Sequence, residues 1–174
     1  LSVLSVPKSL ARDGKSTGYV DVGRLAMIYT ANHLEDARAV FLFRPKLPLH
    51  HHHRDTAAQR AALRGVFDGM STEVDTWLRQ LDGDAAFYFD SITQLELTSW
   101  SRGRVTLVGD AGYCPGPAVG GSTSLSVLGA YVLAGELERA GGDYRAALRA
   151  YEETMLEPVL RSRAFARGAA KNLI

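Results

Sequence analysis

The sequence predicts an α+β fold: a mixed or antiparallel sheet with two helices, then a strand–loop–helix unit and a final long helix. Three observations carry that prediction. Residues 1 to about 44 read as four apolar, β-branched or aromatic runs separated by turn residues. Between Asp55 and Leu81 the apolar spacing changes from that of a strand to that of a helix. From Gly103 a short apolar run passes through a loop dense in glycine and proline and enters a long apolar helix.

The four runs are Leu1–Val6, Tyr19–Val22, Leu25–Thr30 and Arg38–Phe43. Asp13-Gly14 is the expected hairpin turn between the first two. Gly14-Lys15-Ser16 mimics the tail of a phosphate loop, but the glycine that motif requires five residues earlier is Ser9, so it reads as a turn. His33, with Asn32 and Glu35, falls in the turn before the fourth run. Pro45 and Pro48 open a loop that carries His50 to His53. Four consecutive histidines cannot all face one ion, and only Asp55 accompanies them, so no metal site is expected.

In the helical stretch, Leu63, Val66, Phe67 and Met70 share one face, and Val74, Trp77, Leu78 and Leu81 another. Ser71 is placed to cap the second helix. Phe87–Phe89 and Ile92–Trp100 read as further strands, with Ile92, Leu95 and Leu97 apolar, and Val105–Val108 as a buried strand. The helix from about Thr123 to Ala140 carries Leu125, Val127, Leu128, Val132 and Leu133 almost all round, which predicts burial. Gly141-Gly142 ends it. Asp143 is placed to cap the last helix, whose Tyr144, Leu148, Tyr151 and Met155 form a core stripe. Pro158 marks a kink or break, and Arg161, Arg163, Arg167 and Lys171 a solvated basic tail.

A length of 174 residues suits one domain or a pair of subdomains, divided here as 1–100 and 101–174. Charged residues make up 22% and the net charge is +1, so no global field draws in nucleic acid or membrane. No apolar run approaches the roughly 18 residues of a membrane span. The single Cys114 excludes an internal disulfide and fits a reducing, cytoplasmic setting. It reads as a small residue packed beside Pro115.

The chemistry concentrates after Gly103. A strand end, a small-residue loop and a helix start bring free backbone N–H groups and a helix dipole to one point, which suits an anionic cofactor. Asp110 adds acceptors for hydroxyl groups. Gly103-Arg104-Val105-x-Leu107-Val108-Gly109-Asp110-Ala111, followed by Pro117-x-x-Gly120 and the helix, resembles the second FAD-binding motif of the flavin-dependent aromatic hydroxylases. These are the single-component monooxygenases typified by para-hydroxybenzoate hydroxylase. Trp100-Ser-x-Gly-Arg and Phe87-Tyr-Phe-Asp look like the family too, so the resemblance spans nearly the whole chain.

The resemblance implies that Gly109, Asp110, Pro117, Gly120, Gly121, Ser122 and Thr123 bind FAD. Asp110 would hold the ribityl hydroxyls, and the backbone from Gly120 to Thr123 would lie against the pyrimidine edge. It implies NAD(P)H as co-substrate and dioxygen as oxidant. It also implies that the strand-rich region forms a sheet making the substrate pocket, with Tyr88, Gln94 and Leu95 as candidate liners and Pro117 near the reacting edge. No catalytic side chain is assigned, because the hard chemistry is the flavin's, and no Ser-His-Asp set or carboxylate pair stands out.

The chain departs from the family pattern at several points. Gly112 and Tyr113 stand where Ala and His are usual. Gly120-Gly121-Ser122 replaces Gly-x-Gly, Ser124 an Asn, and Gly129-Ala130 an Asp-Ala. Ser122 is expected to crowd a backbone that approaches the ring closely. The seventeen glycines include no Gly-x-Gly-x-x-Gly, and the family's middle Asp-Gly motif is absent. The expectation is therefore a C-terminal portion of an FAD-dependent monooxygenase, inactive alone, acting in the whole protein on a small molecule. The alternatives are another FAD-dependent oxidoreductase of the same fold, or a flavin-free interaction or assembly module. A strand at 105–108 without its sheet leaves an open edge, so homo-oligomerisation or pairing with a missing N-terminal segment is expected.

Overall fold

Residues 1–45, 49, 54–83, 85–116 and 121–172 are described in a computed structural model. The histidine run 50–53, Pro117 and Gly120 lie outside them. The chain divides into two compact units, Leu1–Ser91 and Ile92 onward, so the stretch 92–100 belongs with the second.

Alternate residues of the strands β1 (Ser2–Val6), β2 (Thr17–Asp21), β3 (Arg24–Tyr29) and β4 (Ala37–Phe43) turn toward one core. With β5 (Phe87–Phe89) they form one antiparallel sheet in the order β2-β3-β4-β1-β5. Helices α1 (Thr56–Phe67) and α2 (Thr72–Arg79) supply Leu63, Phe67, Val74, Trp77 and Leu78 to a cluster with Leu4, Ala26, Ile28, Ala39 and Phe41. The anticipated hairpin at Asp13-Gly14 does not form. It is a turn, closed by Lys15 N–H to the Arg12 carbonyl at 3.1 Å with Gly14 at φ 67°. The strand before it pairs with β4 and β5 instead, because Pro7 and a short 3₁₀ turn at Lys8–Leu10 carry the chain away. The tight hairpin is β2–β3, turning at Val22-Gly23 with Gly23 at φ 76°.

Ser71 caps α2 as expected, accepting the Val74 N–H at 3.1 Å. Ser71→Ala should cost about 1 kcal/mol, read as a lower urea midpoint with an unchanged slope.

The second unit departs further from the sequence reading. Ile92–Trp100 is not a strand. Its polar groups find partners on a helix and a loop: Leu95 N–H donates to the Cys114 carbonyl at 3.0 Å, and Glu96 pairs with Arg167 at 2.8 Å. The buried strand at 105–108 is corrected to a two-residue ribbon. Here β7 (Val105–Thr106) pairs only with β6 (Ser101–Arg102), and Val105 is 66% exposed. No further strand among the described residues flanks it.

Helix α4 follows a four-residue helix, α3 (Asp110–Tyr113), and runs from Ser122 to Arg139. It is not buried all round: only Leu125 and Gly129 are buried, while Val127, Leu128, Tyr131 and Leu137 are exposed. One face packs against α5 (Tyr144–Asn172) and the other carries apolar side chains outward. Gly141 and Gly142, at φ 55° and 106°, end α4, and Asp143 caps α5 by accepting from Arg145 and Ala146 N–H.

Pro158 does not break α5. Its ring removes one backbone donor, but Met155 and Val159, both fully buried, hold the flanking turns against the core. The basic tail is corrected in one respect: Arg163 is only 6% exposed and donates to the Leu95 carbonyl. No helix among the described residues is long and apolar enough to cross a membrane.

Candidate flavin site

The site is built where α4 begins. Gly109 takes φ 69°, ψ −140°, a backbone conformation essentially reserved for glycine, and turns the chain from β7 into α3. Asp110 follows, exposed, and one carboxylate oxygen accepts the Ser122 hydroxyl from the first turn of α4. The expected crowding by Ser122 therefore takes another form, with its hydroxyl turned onto the carboxylate.

Gly121 occupies the N-cap of α4 and no side chain caps that end. Its first-turn N–H groups, Ser122 and Thr123 among them, have no side-chain acceptor among the described residues, and they stand at the positive end of an 18-residue helix. A carboxylate for hydroxyls stands beside uncapped N–H groups for acceptors. Gly109, Asp110, Gly121, Ser122 and Thr123 are brought together; Pro117 and Gly120 lie outside the described residues.

Behind this edge the loop is clamped. A Cβ on Gly109 would lie 2.5 Å from Ser126 Oγ on α4, and one on Gly129 would lie 1.8 Å from the Tyr113 hydroxyl. Tyr113 and Tyr151 are fully buried, their hydroxyls 3.1 Å apart, and Tyr151 also reaches the Leu107 carbonyl at 3.0 Å. Trp100 packs on both rings, at centroid distances of 4.7 and 6.0 Å. Burial, with Tyr113 beside it, pushes the Tyr151 hydroxyl far above the ordinary tyrosine value, so it stays protonated.

The candidate pocket residues fall in different places. Tyr88 lies on β5 in the first unit, 53% exposed, its hydroxyl 3.3 Å from Asp90. Across the sheet it shares a row with Val3, Val40, Met27 and Gly18, on the face opposite the helices. Gln94 and Leu95 lie in the second unit and serve as anchors: Gln94 Nε2 donates to the Pro115 and Arg163 carbonyls at 3.0 and 2.9 Å. Sequence reasoning missed Ser126, Gly129 and Tyr151 as parts of the site's frame. The available signal was a glycine inside an apolar helix, which can mark a close approach.

No protein-family model matches the chain. A flavin-dependent monooxygenase of Legionella longbeachae serogroup 1 (strain NSW150) is 39% identical over 151 residues, 87% of this chain and 39% of that protein. An FAD-dependent monooxygenase of Sarocladium schorii is 45% identical over 91 residues, 52% of this chain and 21% of its own length. Crystal structures of the tetracycline destructases Tet(55) and Tet(51) match with TM-scores of 0.87 and 0.86 at 36% and 34% identity. They cover 97% and 98% of this chain, which covers 44% and 46% of theirs.

Relatives of the chain include proteins named flavin-dependent monooxygenases. The chain spans about two fifths of the length of the first of them. These names support a flavin cofactor, and the donor set fits one. The open acceptors of Asp110 suit the hydroxyls of a ribityl chain, and the uncapped start of α4 suits the carbonyl and ring-nitrogen acceptors of a flavin's pyrimidine edge.

Proposed function

We propose that the chain forms part of an FAD-dependent monooxygenase of the aromatic-hydroxylase group. The whole protein, acting in the cytoplasm, would use NAD(P)H and dioxygen to oxygenate an aromatic or otherwise activated small molecule. The observation that carries this reading is the meeting of Asp110 with the N-terminus of α4, in a chain similar to proteins named flavin-dependent monooxygenases.

Gly109, Asp110, Gly121, Ser122 and Thr123, with Pro117 and Gly120 of the sequence motif, would hold the cofactor. Bound FAD would supply the hydride-accepting and oxygen-activating chemistry. The protein's share is to bind, orient and exclude water. The open face of the sheet, with Met27, Val40, Val3 and Tyr88 in one row, would form a wall of the substrate site. The likeness to tetracycline destructases makes a multi-ring phenolic compound the first substrate class to try.

In the full-length protein, flavin absorbance should survive gel filtration, and a phenolic substrate should raise NAD(P)H consumption with oxygen incorporated into product. NAD(P)H oxidation without incorporation would instead indicate another FAD-dependent oxidoreductase, and absence of flavin an assembly module. Asp110→Ala should weaken FAD binding about 10- to 100-fold, the range for losing a hydrogen bond to a charged group. An unchanged dissociation constant would remove Asp110 from the site.

The exposed Val127, Leu128 and Tyr131 of α4 favour a second element of this reading. This face would be covered in the assembled protein, by other parts of it or by a second copy. Light scattering of the full-length protein separates the two.

A further inference from the structure

Three residues of α4 at the spacing of one helical face meet the preceding loop in order. Ser122 donates to Asp110, Ser126 crowds Gly109, and Gly129 leaves the space that the Tyr113 hydroxyl fills. That hydroxyl continues inward to Tyr151, and Tyr151 reaches the Leu107 carbonyl. One proton order satisfies the chain of contacts: Tyr113 donates to the Tyr151 oxygen, and Tyr151 donates to the carbonyl. Both ends of the segment bearing Asp110, Leu107 before it and Tyr113 after it, are therefore tied to one point on α5.

We propose that Tyr113 and Tyr151 are positioning residues for the flavin site. Their hydroxyl relay sets the loop 107–113 against α4 and so fixes the gap between the Asp110 carboxylate and the helix N-terminus. Gly129 is the matching vacancy: a methyl there would meet Tyr113 Oη at 1.8 Å, Tyr113 Cζ at 3.1 Å and Met155 Cε at 3.5 Å. Neither tyrosine touches the exposed edge where ligand would sit, so both act through Asp110. The inference rests on the flavin reading above.

The test uses the full-length protein. Tyr151→Phe keeps the ring and removes only the hydroxyl, leaving the Leu107 carbonyl and the Tyr113 hydroxyl without that partner. It should raise the FAD dissociation constant about ten-fold and alter the visible band shape or fluorescence quenching of the bound flavin. Val159→Ala, in the same fully buried cluster, is the control. It should lower the melting temperature at least as much and leave FAD affinity and spectrum unchanged. Gly129→Ala should lose flavin, and Tyr113→Phe added to it should recover part of the loss by removing the atom the methyl strikes.

If Tyr151→Phe binds FAD with the parent's affinity and spectrum, or if Val159→Ala weakens FAD equally, the tyrosines only fill the core and the proposal fails. A folded parent that takes up no FAD overturns the flavin reading and this inference together. A parent with flavin and an indifferent Tyr151→Phe overturns this inference alone. Should Tyr151→Phe fail to fold, Tyr113→Phe breaks the same relay from its other end and carries the same two outcomes.

Discussion

Gly109→Ala is expected to destabilise the second unit by about 2–6 kcal/mol and to abolish measurable flavin retention. Two costs combine. A side chain at φ 69°, ψ −140° is forced into a region that L-residues avoid, at about 1–3 kcal/mol. The new Cβ also lies 2.5 Å from Ser126 Oγ and 3.0 Å from Ser126 Cβ, and overpacking of that kind costs about 1–3 kcal/mol. Rotating the serine relieves the contact with Oγ only. The Cβ contact needs α4 to move, and moving α4 opens the link from Ser122 to Asp110. Urea denaturation combined with FAD titration of the full-length protein reads both effects. Adding Ser126→Gly should recover the steric part and leave the backbone part. A loss below about 1 kcal/mol would mean that the loop is not held against α4 as described.

Phe67→Ala should cost about 3–5 kcal/mol in the first unit. Phe67 ends α1 fully buried, with its ring 5.1 Å from Phe41 and 5.9 Å from Phe43, both edge-on. Removing it deletes apolar burial, leaves a cavity and ends two favourable aromatic contacts. Against a total stability of about 5–15 kcal/mol, that loss approaches unfolding. Chemical denaturation gives the magnitude, and amide exchange in β4 and α1 should show where protection is lost. Phe67→Leu, which keeps most of the volume, should cost far less. Equal losses for the two variants would locate the stability elsewhere than in this ring cluster.

Both predictions concern glycine and aromatic positions whose importance the sequence hinted at unequally. Gly109 stood inside a recognisable motif and was read there as a cofactor-binding residue, while its glycine-only backbone and its approach to Ser126 appeared only with the coordinates. Phe67 was legible as one of four apolar residues on a helical face, without sign of which strand it would meet. Gly129 was read only as a departure from the family pattern. Its reason became visible with Tyr113, another departure, because each occupies or vacates the same few ångströms.

What the sequence determined by itself is the local part of the molecule. The strand runs before residue 44, the paired helical faces at 63–81, the caps at Ser71 and Asp143, and the glycine stop after α4 all follow from periodicity and backbone preferences acting within a few residues. The helix start near Ser122 is local in the same way, whereas the strand read at Val105–Val108 shrank to a two-residue ribbon. Tertiary structure alone decided the rest. It placed β1 between β4 and β5, left Ile92–Trp100 without a strand partner, turned half of an apolar helix outward, and buried Arg163 against the Leu95 carbonyl. Each of these depends on which distant surface arrives opposite a residue. An apolar or basic side chain announces its chemistry in the sequence, but its solvent exposure is set by neighbours far along the chain, 68 positions away for Arg163 and Leu95.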